Sequence, residues 1–439
     1  MSEKTPEVRE ALAVYATEAP ETELVPPGYR QSEVGVIPED WIALPISEIV
    51  QNIIDYRGRT PRKLGMTWGG GNIPVLSARN VKMGFIDFEE ETYFGTEALY
   101  KRWMNNGDPK KNDLVVTMEA PLGNVALIPD DQKYILSQRT VLLQTNQHKV
   151  ISKYLVQLMR SKSFQKLLLE NATGSTATGI QRRKFERLEV LLPPPSEQRA
   201  IAAALSDVDA LISGLDKLIA KKRAVKTAAM QQLLTGKQRR PGFSGEWEVK
   251  RLEEVADIDS DNLASHTDPH YQFNYISLED VDEGVLRGFT HQSFFSSPSR
   301  ARRRVRAGDV LVSTVRPNLK SHLLFNSPEG NWVCSTGFSV VRCRERLSHP
   351  GFVYQHFFDG AVPSQIEQLI TGSNYPAISG KDVKGFRIPM PKIEEQTAIA
   401  TVLSDMDAEI EALEASREKT RQLKRGMMQE LLTGRTRLV

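Results

Sequence analysis

Two long stretches of the chain share one spacing of apolar positions. Residues 197–234 contain no proline, are rich in alanine, and place apolar side chains at alternating intervals of four and three. This spacing is typical of a heptad seam, which is narrower than the apolar stripe of a helix in a globular core. We therefore predict one long helix here and a second over the matching stretch near the carboxyl terminus. The predicted seam residues are Ile201, Leu205, Val208, Ile212, Leu215 and Ile219 in the first helix, and Ile399, Leu403, Met406, Ile410 and Leu413 in the second, whose pattern breaks at Arg417.

Local signals mark the two ends of the first predicted helix. Prolines at 193–195 end the preceding strand, Ser196 is the expected N-cap with Glu197 in the first turn, and Gly236 supplies a stop. Three heptads are too short to be stable alone, so each seam needs a partner. Antiparallel pairing of the two helices about a pseudo-twofold axis meets that need, and separate docking of each helix on its own module is the alternative. The basic residues later in each helix either face DNA or form a solvated or partner-binding face.

The helices are the best-matched part of an internal repeat. Residues 197–236 align with 395–434 without a gap and are identical at 21 of 40 positions. The flanking sequences repeat more weakly: "NDLVVTMEAP" parallels "GDVLVSTVRP", and "TGSTATGI" parallels "TGSNYPAI". A constant offset of 198 residues indicates two copies of one module. Each copy has a divergent mixed segment followed by a closely matched helix.

The divergent segments are predicted to be α/β or α+β domains. Short strand candidates include "IPVLSA", "LVVTM" and "TVLLQ" in the first, and "FNYISL", "VLVSTV" and "FSVVRC" in the second. One helix closes each segment, over "SKYLVQLMRSKSFQKLLLEN" and "PGFVYQHFFDGAVPSQIEQLI". The predicted organisation is an acidic tail over 1–34, a domain over 35–192, a helix over 193–238, a second domain over 239–390 and a second helix over 391–439.

Basic and amide side chains cluster in loops at equivalent positions of both domains. Arg, Asn and Gln pair with base edges, and the backbone of Gly-Ser turns suits phosphate. A single cluster is equally compatible with a solvated edge, but their equivalence favours a DNA-binding face. The candidates in the first domain are Arg57, Arg59, Arg62, Lys63, Arg79, Asn80, Lys82, Gly174, Ser175, Thr176, Gln181, Arg182, Arg183 and Lys184. Those in the second domain are Arg302, Arg303, Arg304, Arg316, Asn318, Lys320, Gly372, Ser373, Asn374, Tyr375, Lys381 and Lys384.

Composition narrows the possible roles. The net charge is only +2, so a protein that binds DNA with this chain must use local patches or a partner's charge. Two cysteines are consistent with free thiols in a reducing cytoplasm, and no apolar run approaches the ~18 residues of a membrane span. Catalytic motifs are missing: "VPPGY" is not an amino-methyltransferase motif, and "ISGKDV" has Asp382 where a P-loop requires Ser or Thr. We expect no catalytic, cofactor-binding or metal-binding residues.

The order of these segments resembles one protein family. Each long helix opens with "P-x-x-E-Q-x-A-I-A-x-x-L-S-D-x-D" and closes with "M-Q-x-L-L-T-G", and "GVIPEDW" and "PGFSGEWEVKRL" introduce the variable domains. This pattern resembles the specificity (S) subunit of a type I restriction–modification system over about residues 28–438. The glutamate-rich first ~27 residues depart from the common pattern.

The resemblance implies a division of labour. Each variable domain would be a target recognition domain for one half of a bipartite, asymmetric double-stranded DNA site, and the antiparallel coiled coil would set the spacer. Two methylation (M) subunits would bring S-adenosylmethionine and adenine methylation, and restriction (R) subunits would add ATP- and Mg-dependent steps. The alternatives are a self-contained DNA methyltransferase or nuclease, and a structural coiled-coil adaptor.

Overall fold

The chain divides into two compact units, and each unit contains parts of both long helices. The computed structural model describes residues 25–438 except 33–34, 91, 175–177, 283, 328 and 371–375. The first unit comprises the described residues up to Ser213 together with those from Lys419 onward, and the second unit is Gly214–Glu418. The compact units therefore divide within the helices rather than at the helix ends.

The first unit is a mixed domain built on short strands. Its strands are β1 Tyr29–Ser32, β2 Gly35–Pro38, β3 Ile42–Pro45, β4 Val50–Asp55, β5 Ile73–Leu76, β6 Phe94–Gly95, β7 Leu114–Met118, β8 Leu122–Leu127, β9 Ile135–Leu136, β10 Thr140–Thr145 and β11 Glu189–Leu192. Its short helices are α1 Ile46–Ile49, α2 Glu97–Trp103, α3 Ser152–Arg160, α4 Lys162–Glu170 and α5 Arg182–Glu186, followed by the long helix α6, Pro195–Leu233. The central sheet is antiparallel in the order β4-β10-β7-β8, and β5 pairs with β6 antiparallel and with β9 parallel. β3 pairs with β11, the last strand before α6.

The second unit repeats this topology. Its strands are β12 Glu248–Arg251, β13 Ala256–Ile258, β14 Gln272–Ile276, β15 Val281–Asp282, β16 Val285–Leu286, β17 Thr290–Ser293, β18 Ala301–Val305, β19 Val310–Ser313, β20 Leu323–Leu324, β21 Trp332–Ser335, β22 Phe338–Cys343 and β23 Arg387–Met390. Its helices are α7 Leu252–Val255, α8 Pro350–Gln355, α9 Ala361–Leu369, α10 Gly380–Gly385 and the long α11, Ile393–Leu431.

The correspondence between the units extends to the pairing of strands. The order β13-β22-β19-β20 matches the central sheet of the first unit, and β14 pairs with β17 antiparallel and with β21 parallel, as β5 does with its neighbours. β12 pairs with β23, the strand before α11. The internal repeat predicted from the sequence, with two mixed domains and two long helices, is confirmed.

Both long helices end where the sequence indicated, but the first begins earlier. Gly236 and Gly434 have positive φ of 69° and 74°, the left-handed conformation expected of a helix stop. A Cβ at Gly434 would lie 2.6 Å from Pro38, so glycine is also required there for close approach. The predicted N-cap was wrong: α6 begins at Pro195, a residue suited to the first turn because that turn needs no N–H from it.

The seam residues have two different environments. Ile201 and Leu205, at the start of α6, are fully buried in the core of the first unit beside Leu431 and Leu432 from the end of α11. Ile399 and Leu403 are buried in the same way in the second unit, beside the end of α6. The later seam residues Val208, Ile212, Leu215, Met406, Ile410 and Leu413 are half-buried, and Ile219 is buried. Docking on the module and pairing between helices are therefore both present.

Ion pairs show the direction of helix pairing. In the second unit Asp216 pairs with Arg417 at 3.1 Å and Lys226 pairs with Asp407 at 2.5 Å, so residue number rises on one helix as it falls on the other. The helices are therefore antiparallel in this unit. The seam does not end at Arg417: it continues with polar side chains, and Thr420 and Lys424 are buried in the first unit.

Two helix predictions were wrong, and the end of the predicted tail contains a strand. The helix predicted before the first Gly-Ser loop breaks at Ser161, which has ψ of 151° and accepts the N–H of Phe164 as the N-cap of α4. Its counterpart breaks at Gly360, where φ is 108°. The predicted tail over 1–34 includes β1, which pairs with β2, and the Tyr29 hydroxyl donates to the carbonyl of Gly434 at 2.8 Å. The rest of that tail, residues 1–24, lies outside the described residues.

Candidate nucleic-acid interface

Each long helix is tied to its own module by a glutamine in its first turn. The Gln198 side chain accepts the N–H of Ile151 at 2.9 Å and donates to the carbonyls of Lys149 at 3.1 Å and Pro193 at 2.9 Å. Gln396 makes the same set of three hydrogen bonds in the second unit. Because both glutamines are buried and their hydrogen bonds are satisfied, they fix the direction in which each helix leaves its domain.

A buried carboxylate beside Gln198 joins three segments of the first unit. Glu197, at 1% exposure, accepts the indole N–H of Trp41 at 3.1 Å and two hydrogen bonds of 2.8 Å from Arg437. Burial opposes ionisation of Glu197, but the hydrogen bonds from Arg437 and Trp41 hold the pKa of its carboxyl below the usual value. The bidentate geometry fixes the chain beyond the end of α11 against the start of α6.

The second unit contains the same arrangement. Glu395, at 2% exposure, accepts hydrogen bonds of 2.6 Å from both Nε and Nη2 of Arg239 and one of 3.3 Å from the indole of Trp247. Here Arg239 follows α6 and Glu395 opens α11. The two Trp-Glu-Arg groups, Trp41–Glu197–Arg437 and Trp247–Glu395–Arg239, are called the helix latches below.

A carboxylate farther along α6 joins the helix pair to the first domain. Asp209 accepts from Lys424 at 2.7 Å, from Gln157 at 2.9 Å and from Arg160 at 2.7 Å. Burial raises its pKa, but the hydrogen bonds, first from Arg160 and then from Lys424, lower it to a net value of about 2. The equivalent residues in the second unit are Asp407, with Lys226 at 2.5 Å and Gln355 at 3.0 Å.

The first basic loop of the first unit is partly held by the protein itself. Arg57 forms a bidentate pair with Asp55 at the end of β4, with Nε at 3.0 Å and Nη2 at 2.7 Å. Arg59 donates to the carbonyl of Trp103 at 2.7 Å, and Lys63 donates to the carbonyl of Gly58 at 2.6 Å. Arg62 is exposed. These hydrogen bonds hold the loop in one conformation, so its cations are presented from an ordered backbone.

The turn after β5 contains one wrong candidate. Asn80 is fully buried: its side-chain oxygen accepts the N–H of Ser77 at 2.8 Å and its amide donates to the carbonyl of Val75 at 2.8 Å. These bonds shape the turn and leave no part of the amide for a base, so Asn80 does not belong among the DNA-contacting residues. Arg79 is exposed, and Lys82 forms a solvent-exposed pair with Glu90 at 3.2 Å.

The Gly-Ser loop of the first unit leads into a short basic helix. Backbone bridges join Gly179 to Thr173 and to Glu119, which places the loop beside the turn after β7. Buried Phe185 anchors α5 and leaves Gln181, Arg183 and Lys184 exposed, while Arg182 pairs with Glu186 at 2.6 Å. Gly174 has φ of 102°. Ser175 and Thr176 lie outside the described residues.

In the second unit the arginines of the basic strand β18 have two different environments. Arg302 lies 4.8 Å from the ring of Phe294, and Arg304 lies 5.5 Å from the ring of Tyr271, both as cation–π contacts. Arg303 is mostly buried and forms an ion pair with Asp259, and desolvation lowers the pKa of its guanidinium. Arg303 was therefore wrong as a DNA-contacting candidate, because its charge is already matched inside the domain.

The loop after β19 corresponds to the turn after β7. A bridge joins Val315 to Ala377, so this loop lies beside the segment that leads into α10, as in the first unit. Arg316 and Asn318 are exposed, and Lys320 donates to the carbonyl of Phe358 at 2.9 Å. The exposed candidates of α10 are Lys381 and Lys384. Gly372, Ser373, Asn374 and Tyr375 lie outside the described residues.

The sequence missed one group of residues beside the first basic loop. A cavity of about 230 Å³ in the first unit brings the predicted Arg59 and Arg79 together with Arg139 and Gln138, which were not predicted. Trp68 and Tyr93 also line it. Arg139 stands alone as a basic residue in "SQRT", so the sequence does not mark it as a candidate. Its position beside the cavity is visible only in the folded chain.

Within 25–438 and its stated gaps, no group of three or more His, Cys, Asp and Glu side chains has the geometry to hold a metal ion. Among the same residues, no helix is long and apolar enough to cross a membrane.

Comparisons with known proteins agree with this duplicated architecture. A family profile described as "Type I restriction modification DNA specificity domain" matches residues 38–221 and again 244–422. The chain is 24% identical over 424 residues to the type I restriction enzyme MjaVIII specificity subunit of Methanocaldococcus jannaschii, which covers 92% of this chain and 94% of that protein.

Solved structures show the same fold. The crystal structure of a type I restriction–modification S subunit from M. genitalium aligns with a TM-score of 0.57 at 15% identity, covering 89% of this chain and 96% of that one. A chain from a study of complex assembly and conformational transition in the type I R-M system aligns with a TM-score of 0.52 at 19% identity, covering 91% and 99%. With two matched copies of the family domain on a duplicated fold, the chain belongs to the type I restriction–modification DNA specificity family.

Proposed function

We propose that this chain is the non-catalytic subunit that recognises DNA sequence in a type I restriction–modification complex. Each mixed domain acts as a target recognition domain and contacts one half of a bipartite, asymmetric site. The paired helices set the spacer between the half-sites and hold two methylation subunits. Restriction subunits complete the full complex.

One contrast carries the proposal. The residues that join helices to domains recur in both copies: Gln198 and Gln396, the two helix latches, and the Asp-Lys-Gln groups around Asp209 and Asp407. The exposed basic loops differ between the copies, in both sequence and contacts. A shared frame with two different polar surfaces is what recognition of two different half-sites requires.

The chemistry is assigned to partners. S-adenosylmethionine is bound by the methylation subunits, and ATP and Mg by the restriction subunits. The net charge of +2 supports this division, because strong solitary binding to phosphates requires more positive charge than this chain carries. A self-contained methyltransferase or nuclease and a DNA-independent coiled-coil adaptor are the competing functions.

Two assays separate these functions. The purified chain alone, incubated with labelled S-adenosylmethionine and genomic DNA, is expected to transfer no label, and turnover would establish a self-contained enzyme. The chain copurified with its methylation subunits is expected to protect two short DNA tracts separated by an unprotected spacer. Sequence-independent protection, or none, would favour the adaptor.

A further inference from the structure

The cavity beside the first basic loop has one aromatic wall. The rings of Trp68 and Tyr93 stack on each other, 16° from parallel with centroids 6.1 Å apart, and the ring centroid of Trp103 lies 5.4 Å from that of Trp68. Trp103 is fully buried and its indole N–H is bound to the carbonyl of Leu136, so it packs against Trp68 and offers no polar group to the cavity. Tyr93 is 40% exposed, so this wall opens to solvent. Such a wall offers stacking area to a planar group.

The remaining lining is cationic and polar. The described lining residues include three arginines and no carboxylate, which favours an anionic or hydrogen-bonding ligand over a cation. Among the described residues, the Arg139 side chain pairs with Glu119 at 3.4 Å, and both side chains are about half exposed, so this pair is weak and can exchange for a phosphate. Gln138 is exposed, and in the described part of the chain its amide has no hydrogen-bond partner.

The size of the cavity limits what can enter. Its volume of about 230 Å³ is below the ~300 Å³ at which pockets for drug-sized ligands begin, and it matches one ring system with a short substituent. A nucleobase provides a stacking face and an edge that a glutamine amide can bind, and its own phosphates provide charge for arginines. A base inside the duplex stack cannot reach such a recess, so it must leave the stack.

We propose that this cavity binds one nucleobase extruded from the DNA half-site that the first domain recognises. The base stacks on the open face of the stacked Trp68–Tyr93 pair, the Gln138 amide binds its polar edge, and Arg79 and Arg139 hold the flanking phosphates. This inference rests on the proposed function. It adds one base position of the half-site that is recognised after the base leaves the stack, whereas other positions are recognised in a groove of the duplex.

A binding scan tests it with the full chain in complex with its methylation subunits. Duplexes carry both half-sites, with an abasic residue placed opposite each base in turn, so that the facing base is unpaired but intact. Extrusion costs least for an unpaired base, so one position in one half-site is expected to bind about tenfold tighter than the paired duplex. Trp68→Ala and Gln138→Ala should each abolish that gain, and Trp68→Phe should restore most of it.

Controls distinguish the possible failures. Phe85→Ala removes an exposed aromatic of the same domain that does not line the cavity, and should keep the gain. Tighter binding of duplexes in which a methylated adenine is unpaired should persist in all variants, because those bases enter the methylation subunits. Normal protection of both half-sites without a Trp68-dependent position would overturn the cavity's role while leaving the proposed function intact. The cavity's role in DNA recognition would also be overturned if free AMP bound in a Trp68-dependent way while no position in the duplex showed Trp68-dependent binding. If the unmodified complex protected no specific DNA sequence, the proposed function itself would be overturned.

Discussion

The indole N–H of Trp41 donates a hydrogen bond of 3.1 Å to the carboxylate of Glu197, 156 residues farther along the chain. Arg437 holds the same carboxylate from beyond the end of α11. Three distant segments thus meet at one buried charge at the start of α6. The second latch joins Trp247 and Arg239 to Glu395 in the same way. In each unit, therefore, a Trp, a Glu and an Arg join the ends of the two long helices to a domain.

Glu197→Ala should loosen the chain ends of the first unit. It removes the buried carboxylate that Arg437 binds and leaves Arg437 paired with the exposed Asp40 at 2.7 Å, so local stability should fall by about 2 kcal/mol, the contribution of hydrogen bonds to a charged group. Hydrogen–deuterium exchange should rise in residues 435–438 and around Trp41. Glu395→Ala is the matched control and should raise exchange around 239–247 instead. Unchanged exchange at both places would contradict the latch.

Stability should depend on pH through Asp209. Its folded-state pKa is depressed to about 2, so the stabilisation it gives is complete above its unfolded value near 4. As pH falls from about 4 to 2 the carboxylate is protonated and the stabilisation is lost. After allowance for solvent screening this contribution is about 1–2 kcal/mol. Urea midpoints of the unmodified chain and Asp209→Asn should converge as pH falls from 5 to 2, and a constant difference would exclude this role.

The Lys226–Asp407 pair should couple the two helices in the second unit. Lys226→Ala and Asp407→Ala each remove the same contact of 2.5 Å, so their combined effect should be smaller than the sum. Because Asp407 is partly exposed, the expected coupling is about 1 kcal/mol. A double-mutant cycle of urea midpoints measures it. Strict additivity would mean that the pair contributes nothing to helix pairing.

Much of this fold could be predicted from the sequence because its signals are local. Heptad spacing, the glycine stop at Gly236 and the short apolar strands depend on neighbours in the chain. The roles of Glu197 and Gln198 were not predicted, although the repeated Glu-Gln pair at each helix start was visible. Their partners lie far away in sequence, and a polar residue does not reveal whether it will be buried.

The candidate site was less predictable for the same reason. Asn80 and Arg303 belong to loops and strands rich in polar residues, yet each is used inside the domain, because its hydrogen bonds or charge are satisfied there. Gln138 and Trp68 were missed since they reach the cavity from separate loops. Composition identifies which residue types can contact DNA, whereas burial decides which of them face solvent.

The exposed residues at the start of α5, with its N-cap Gln181, should affect one half-site only. Replacing Gln181, Arg182 and Arg183 together by Ala should weaken binding to the half-site of the first domain by about 10- to 100-fold, or relax its sequence. Arg316→Ala with Asn318→Ala is the matched change in the second domain and should affect the other half-site. Footprinting with duplexes altered in one half-site at a time measures both. Equal losses at both half-sites would remove α5 from the DNA-contacting surface.

Helix length should determine the spacer. Deleting one heptad from either helix should change the tolerated spacer or abolish binding, since seven helical residues span about 10 Å, or about three base pairs. Selection from duplexes with randomised spacer length measures the change. Half-site sequences should stay the same, and an unaltered spacer would show that the helices do not set it.

The methylome of a host expressing this chain with its methylation subunits reveals directly whether two different half-sites are recognised. We expect one bipartite motif of two different half-sites, separated by a spacer of fixed length and unspecified sequence, with an adenine methylated in each half. A single continuous motif, two identical half-sites, or a spacer of variable length would contradict it.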